Sequence, residues 1–150
     1  MMIKSNNFLL TSFPTATSTI VKSRTKYKSL TLPPEFLFEI IDKISGENLF
    51  TKGILNQSEI IVKDENGKVV DAAFISNNNQ NIINLSAIGW NTNIHNYTLH
   101  LSADLKIDIH VKMETRSKDG NSIYEKLEFS IKNYHYEQSN TAGIIKVIVG

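Results

Sequence analysis

The longest regular pattern in the chain runs from Tyr97 to Met113. Tyr97, Leu99, Leu101, Ala103, Leu105, Ile107, Ile109, Val111 and Met113 take every odd position, while polar residues from His100 to Glu114 take the even ones. Side chains of a strand alternate between its two faces, so this pattern predicts extended chain with one buried and one wet face. In a helix the same positions would spiral around the whole surface. One straight strand of this length would reach about 55 Å at ~3.3 Å per residue, too long for a single domain. The chain must therefore turn near Ser102-Ala103-Asp104. Because parity survives the turn, the loop has an odd number of residues, with Leu101 near Leu105 and Leu99 near Ile107.

The same alternation, in shorter pieces, fills the chain after Pro34. Glu35 to Ile41 is β-branched and aromatic and reads as a strand. Ser45-Gly46-Glu47-Asn48 reads as a turn. Ile60-Ile61-Val62 and Val69-Val70 flank Asp64-Glu65-Asn66-Gly67, a hairpin signal. A three-residue loop, Glu65 to Gly67, pairs Asp64 with Lys68 and puts Ile60, Val62, Val70, Ala72 and Phe74 on one face, with Gly67 left-handed. Ser76 to Gln80 reads as a loop, Ile82 to Ala87 as a strand, and Gly89-Trp90-Asn91 as the start of a turn. Lys118-Asp119-Gly120-Asn121 is another turn signal. Leu127, Phe129 and Ile131 resume the odd stripe, but Tyr134 and Tyr136 are even. That slip predicts either a bulge that returns both rings to the core or two outward tyrosines. Ile144 to Val149 is the last strand. Many short half-buried strands without helices predict an all-β fold, an antiparallel two-sheet sandwich, with a small β-barrel as the alternative.

Residues 1–34 differ in composition. They are rich in Ser, Thr and Lys, they hold Pro14, Pro33 and Pro34, and Lys22, Arg24, Lys26 and Lys28 alternate with Ser23, Thr25 and Tyr27. The segment reads as a solvated tether or edge segment ahead of a domain at 35–150, and removal of residues 1–30 is expected to change stability little. Lys4 and Phe8-Leu9-Leu10 fall short of the ~7–15 apolar residues of a signal peptide. The expectation is a cytoplasmic chain or a start that lacks its original leader.

Composition narrows the function classes. A net charge of +1 offers no electrostatic footprint for nucleic acid. The apolar runs are too short to predict a transmembrane segment. The absence of Cys removes disulfides, thiolate metal sites and Cys nucleophiles.

Asp42-Lys43, Ser45-Gly46-Glu47-Asn48-Leu49-Phe50, Ser86 to Trp90 followed by Tyr97-Thr98-Leu99, and Tyr136-Glu137-Gln138-Ser139-Asn140-Thr141 resemble small uncharacterised putative lipoproteins of Bacteroidetes-type bacteria. The resemblance covers roughly residues 35–150. It implies an immunoglobulin-like β domain on a short tether at the cell envelope, exported and lipidated on a Cys that this sequence does not contain.

Motifs that carry chemistry are sparse. His100 and His110 fall on the wet face near Asp104 and Asp108, as alternation alone would place them, and no metal site is predicted. His95 falls in a loop between Asn93 and Asn96. No Gly-x-Ser-x-Gly occurs, and the acidic turns at Asp64 and Asp119 read as hairpins rather than calcium loops. No cofactor is predicted. Trp90 and Tyr97 are expected in the core. Tyr134, His135 and Tyr136 form an aromatic strand end beside polar Glu137 to Asn140, and these three are the candidate ligand-binding residues. The reading is a non-enzymatic binding or interaction module, with a protein or carbohydrate partner. A small hydrolase with an unrecognised active site is the alternative.

Overall fold

The structure is a computed structural model that describes residues 32–77, 80–138 and 143–150. The tether expected at the N-terminus lies outside the described residues up to position 31, as do Ser139 to Thr141 of the polar loop. One compact unit comprises Leu32–Lys118 and Ser122–Gly150, and the strands belong to it.

Ten strands are found among the described residues: β1 (Leu37–Asp42), β2 (Ile61–Asp64), β3 (Val69–Val70), β4 (Ala73–Asn77), β5 (Gln80–Asn84), β6 (Asn96–His100), β7 (Lys106–Lys118), β8 (Asn121–Ile131), β9 (His135–Gln138) and β10 (Ile144–Val149). They form two five-stranded sheets, β4-β5-β1-β10-β9 and β3-β2-β6-β7-β8. The sheets are open rather than closed into a barrel, and their inner faces share one core. Phe38, Ile40, Ile83, Ile145 and Val147 come from the first sheet, and Val62, Leu99, Ile107, Ile109 and Val111 from the second. The all-β sandwich is therefore the observed architecture. Pairings β4-β5-β1 and β3-β2-β6-β7 reproduce the D-E-B and C′-C-F-G neighbours of an immunoglobulin-type sandwich.

The first sheet departs from the antiparallel expectation. β10 lies beside β1 in parallel, from Leu37 opposite Ile144 to Asp42 opposite Val149. It occupies the place where an immunoglobulin domain puts its first strand. The near-continuous apolar run of β10 suits a strand enclosed within a sheet.

The long stripe folds as its parity requires. Leu99 pairs with Ile107, the Leu101 N–H donates to the Leu105 carbonyl at 2.9 Å, and Ser102 to Asp104 form the odd loop. The Ser102 hydroxyl oxygen accepts from the Asp104 and Leu105 N–H groups and holds it closed. The β2–β3 hairpin also has the three-residue register. Asp64 N–H donates to Lys68 O at 2.9 Å, Asp64 Oδ1 accepts from the Asn66 and Lys68 N–H groups, and Gly67 takes φ 81°. The shared face ends at Val70, however. The chain then crosses to the other sheet, where Ala73–Asn77 pairs with Gln80–Asn84, so Phe74 reaches the core from the opposite side.

Two further expectations are corrected. The strand placed at Ile82 to Ala87 stops at Asn84, whose Oδ1 accepts the Ser86 N–H at 2.8 Å and starts a 3-10 turn over Ser86–Trp90. That turn packs closely on Pro33-Pro34. A Cβ on Gly89 would stand 2.8 Å from the Pro33 Cβ. Tyr97 is buried as expected, but Trp90 is 52% exposed, its ring meeting Tyr124 edge-on at 4.9 Å.

The slip between Ile131 and Tyr134 is neither a bulge nor an outward strand end. β8 and β9 lie in different sheets, and Lys132 to Tyr134 is the crossing between them. Across this crossing the inward positions change from odd, Phe129 and Ile131, to even, Tyr134 and Tyr136. The even tyrosines thus stay partly within the core while the strand changes layer.

Candidate functional site

At the end of the sandwich where β1 and β10 finish, the two sheets separate into a cleft of about 810 Å³. Its walls are Leu49, Ile54 and Leu55 from the β1–β2 connection, Leu105 from the β6–β7 loop, Tyr134 from the crossing, and Ile148 and Val149 from β10. Lys43, Ser102, Asp104, Asn133 and His135 add polar groups. This size and mixture match those of small-ligand sites.

Each wall is held by a local device. Beyond β1 the chain turns around Asp42, whose carboxylate accepts from the Ser45 hydroxyl at 2.8 Å and the Lys52 ammonium at 3.2 Å. Those bonds, the Ser45 contact first, hold the Asp42 carboxyl below its ordinary range. The turn leaves Lys43 at the cleft end. Asn48 then fixes the next loop from within. Its Oδ1 accepts the Phe50 N–H at 2.8 Å, and its Nδ2 donates to the Asn81 carbonyl at 2.8 Å. This buried amide directs Leu49 and Leu55 inward. Ile54, at the cleft wall, remains 61% exposed.

The crossing is fixed by Asn133. Its Nδ2 donates to the Lys106 carbonyl at 2.8 Å, and its Oδ1 accepts the Asp108 N–H at 3.0 Å. The Lys132 N–H adds a bond to the Asp108 carbonyl at 2.9 Å. A side-chain amide thus continues the β7 ladder for one step after β8 has left it. That sets the direction in which Tyr134 enters the cleft.

The three sequence-derived candidates do not stay together. Tyr134, half-buried, and His135, exposed, line the cleft. Tyr136 does not. Its ring packs edge-on to Phe129 at 5.6 Å, and its hydroxyl donates to the Phe129 carbonyl at 3.3 Å. Sequence reasoning missed the rest of the cleft, including Asn133, and the Asn48 amide that braces the loop beside it.

The rings of His95 and His110 meet edge-on at 6.4 Å, and His100 and His135 lie elsewhere. His135 has Glu137 at 3.7 Å, both largely exposed. Burial first, then Lys106 and Lys63, pushes the His100 imidazole below its ordinary value. His110 contacts Asn96 and Glu128 rather than Asp104 or Asp108. No cluster of three or more His or carboxylate side chains that could hold a metal occurs among the described residues. No helix among them is long and apolar enough to cross a membrane.

Comparison with known proteins finds no matching family model, no matching curated protein and no matching solved structure.

Proposed function

We propose that the protein is a non-enzymatic binding module whose partner inserts an apolar group into the cleft between β1, the β6–β7 loop and β10. The cleft itself carries this reading, since it combines an apolar wall with a half-covered aromatic ring, Tyr134. A large apolar side chain left exposed in a cleft's wall, here Ile54, favours an occupant that covers it. The walls suit a protein side chain better than a sugar, because sugar stacking uses an open ring face and Tyr134 is partly enclosed. The bacterial cell envelope is the proposed location, supported by the resemblance of residues 42–50, 86–99 and 136–141 to envelope lipoproteins.

An environment-sensitive apolar dye, anilinonaphthalene sulfonate, tests the cleft. Saturable one-site fluorescence enhancement is expected, and Tyr134→Ala or Ile54→Glu should weaken it roughly tenfold, a change of about 1.4 kcal/mol. Enhancement indifferent to both substitutions rejects the site.

A further inference from the structure

A second constellation lies away from the cleft, on the outer face of the β3-β2-β6-β7-β8 sheet. Glu65, in the β2–β3 turn, accepts three hydrogen bonds on Oε1. They come from the His95 N–H at 3.1 Å, the Asn96 N–H at 3.1 Å and Asn96 Nδ2 at 3.3 Å. Asn96 Oδ1 faces His110 Nδ1 at 3.1 Å, and His110 Nε2 faces Glu128 Oε1 at 2.9 Å. One chain of contacts thus links the β2–β3 turn, β6, β7 and β8.

The donors in this chain can be assigned from its two ends. Hydrogen bonds hold both end carboxyls below their ordinary range, the largest being from the His95 N–H for Glu65 and from His110 for Glu128. An ionised carboxylate only accepts. Glu65 therefore fixes Asn96 with its NH₂ toward Glu65 and its oxygen toward His110. That oxygen requires a proton on Nδ1. Glu128 at the other end requires a proton on Nε2. Either neutral tautomer of His110 would aim a ring lone pair at an oxygen about 3 Å away.

We propose that Glu65, Asn96, His110 and Glu128 form a charged latch between β7 and β8 in which His110 holds a proton on each ring nitrogen. The surrounding charges leave this assignment in place. On β7 itself Asp108 and Lys112 flank His110 with opposite signs. The His95 ring, just before β6, stands edge-on at 6.4 Å. On β8, the Lys126 ammonium lies over the Phe129 ring at 5.5 Å.

Long-range ¹H–¹⁵N spectra of the full chain test this near pH ~7, where an unperturbed imidazole (~6.5) is largely neutral. Both His110 nitrogens should carry protons. In Glu128→Gln the amide can turn its NH₂ toward Nε2, so His110 should become a neutral Nδ1–H tautomer while the backbone spectrum stays folded. A bare nitrogen on His110 in the unmodified protein overturns the latch. So does unchanged double protonation in Glu128→Gln.

Discussion

Tyr97 sits inside the core, 3% exposed, with a hydroxyl that meets no partner among the described residues. It lies on β6, in the place of strand F. Immunoglobulin-type sandwiches often keep a tyrosine near the start of that strand, its hydroxyl bonded to upstream backbone. Here that bond is missing. Burial first, then the charges of Asp64 and Glu65, push the phenol up to about 12. A buried hydroxyl without a partner is a desolvation cost with no return. Tyr97→Phe should therefore be neutral or stabilising by about 1 kcal/mol in urea melts. The phenol also gives the fold an alkaline limb. An unfolded Tyr ionises near ~10, so between there and about 12 the unfolded state loses its proton first. The stability is whole below the lower value and falls as pH rises toward the upper one. In Tyr97→Phe this part of the alkaline decline should be absent. An unchanged decline would place its origin elsewhere.

At the scale of elements, the joint between β8 and β9 decides where the site residues go. Asn133 gives two side-chain hydrogen bonds to the β7 backbone, and Tyr134 follows it directly. Asn133→Ala should cost about 1–3 kcal/mol, since each bond contributes about 1 kcal/mol net and the β7 groups lose a partner. It should also weaken dye binding at the cleft, whereas Tyr136→Phe should spare it. Equal loss in both would mean that general destabilisation, not aiming of Tyr134, controls the site. This joint also shows where sequence reading stops. The parity change between Ile131 and Tyr134 was visible, but the same change follows from a bulge, an outward strand end or a change of sheet, and only a long-range pairing separates them. The Tyr97 to Met113 stripe was fully legible because its partners are its own neighbours across a three-residue loop. The strand Ala73–Asn77 was not, since it is largely exposed and ends in asparagines. Of the cleft, only Tyr134 and His135 were legible. Its other apolar walls come from three separate stretches of chain, and each apolar residue there reads alone as ordinary core.

For the whole molecule, stability belongs to the layer between the sheets, and the proposed binding surface lies at one end of it. β10 stands inside its sheet, between β1 and the edge strand β9, so this strand completes the core. Ile145, 1% exposed there, should cost about 2–5 kcal/mol when changed to Ala. Ile75, 40% exposed on strand β4, should cost under about 1 kcal/mol. Similar losses at the two positions in denaturant melts would contradict this sandwich. The parallel seating of β10 on β1 has a second consequence. Both strands end at the same place, so Lys43, Ile148 and Val149 arrive together beside the β6–β7 loop and the open end of the core. The central claim is that this end is the binding surface, and backbone chemical-shift mapping with the apolar dye tests it most directly. The account predicts that titration moves the amides of Leu55, Leu105, Tyr134 and Val149 together along one saturable curve, leaving the outer face around His110 and Glu128 unmoved. Shifts confined to other surfaces, or none at saturating dye, would contradict it.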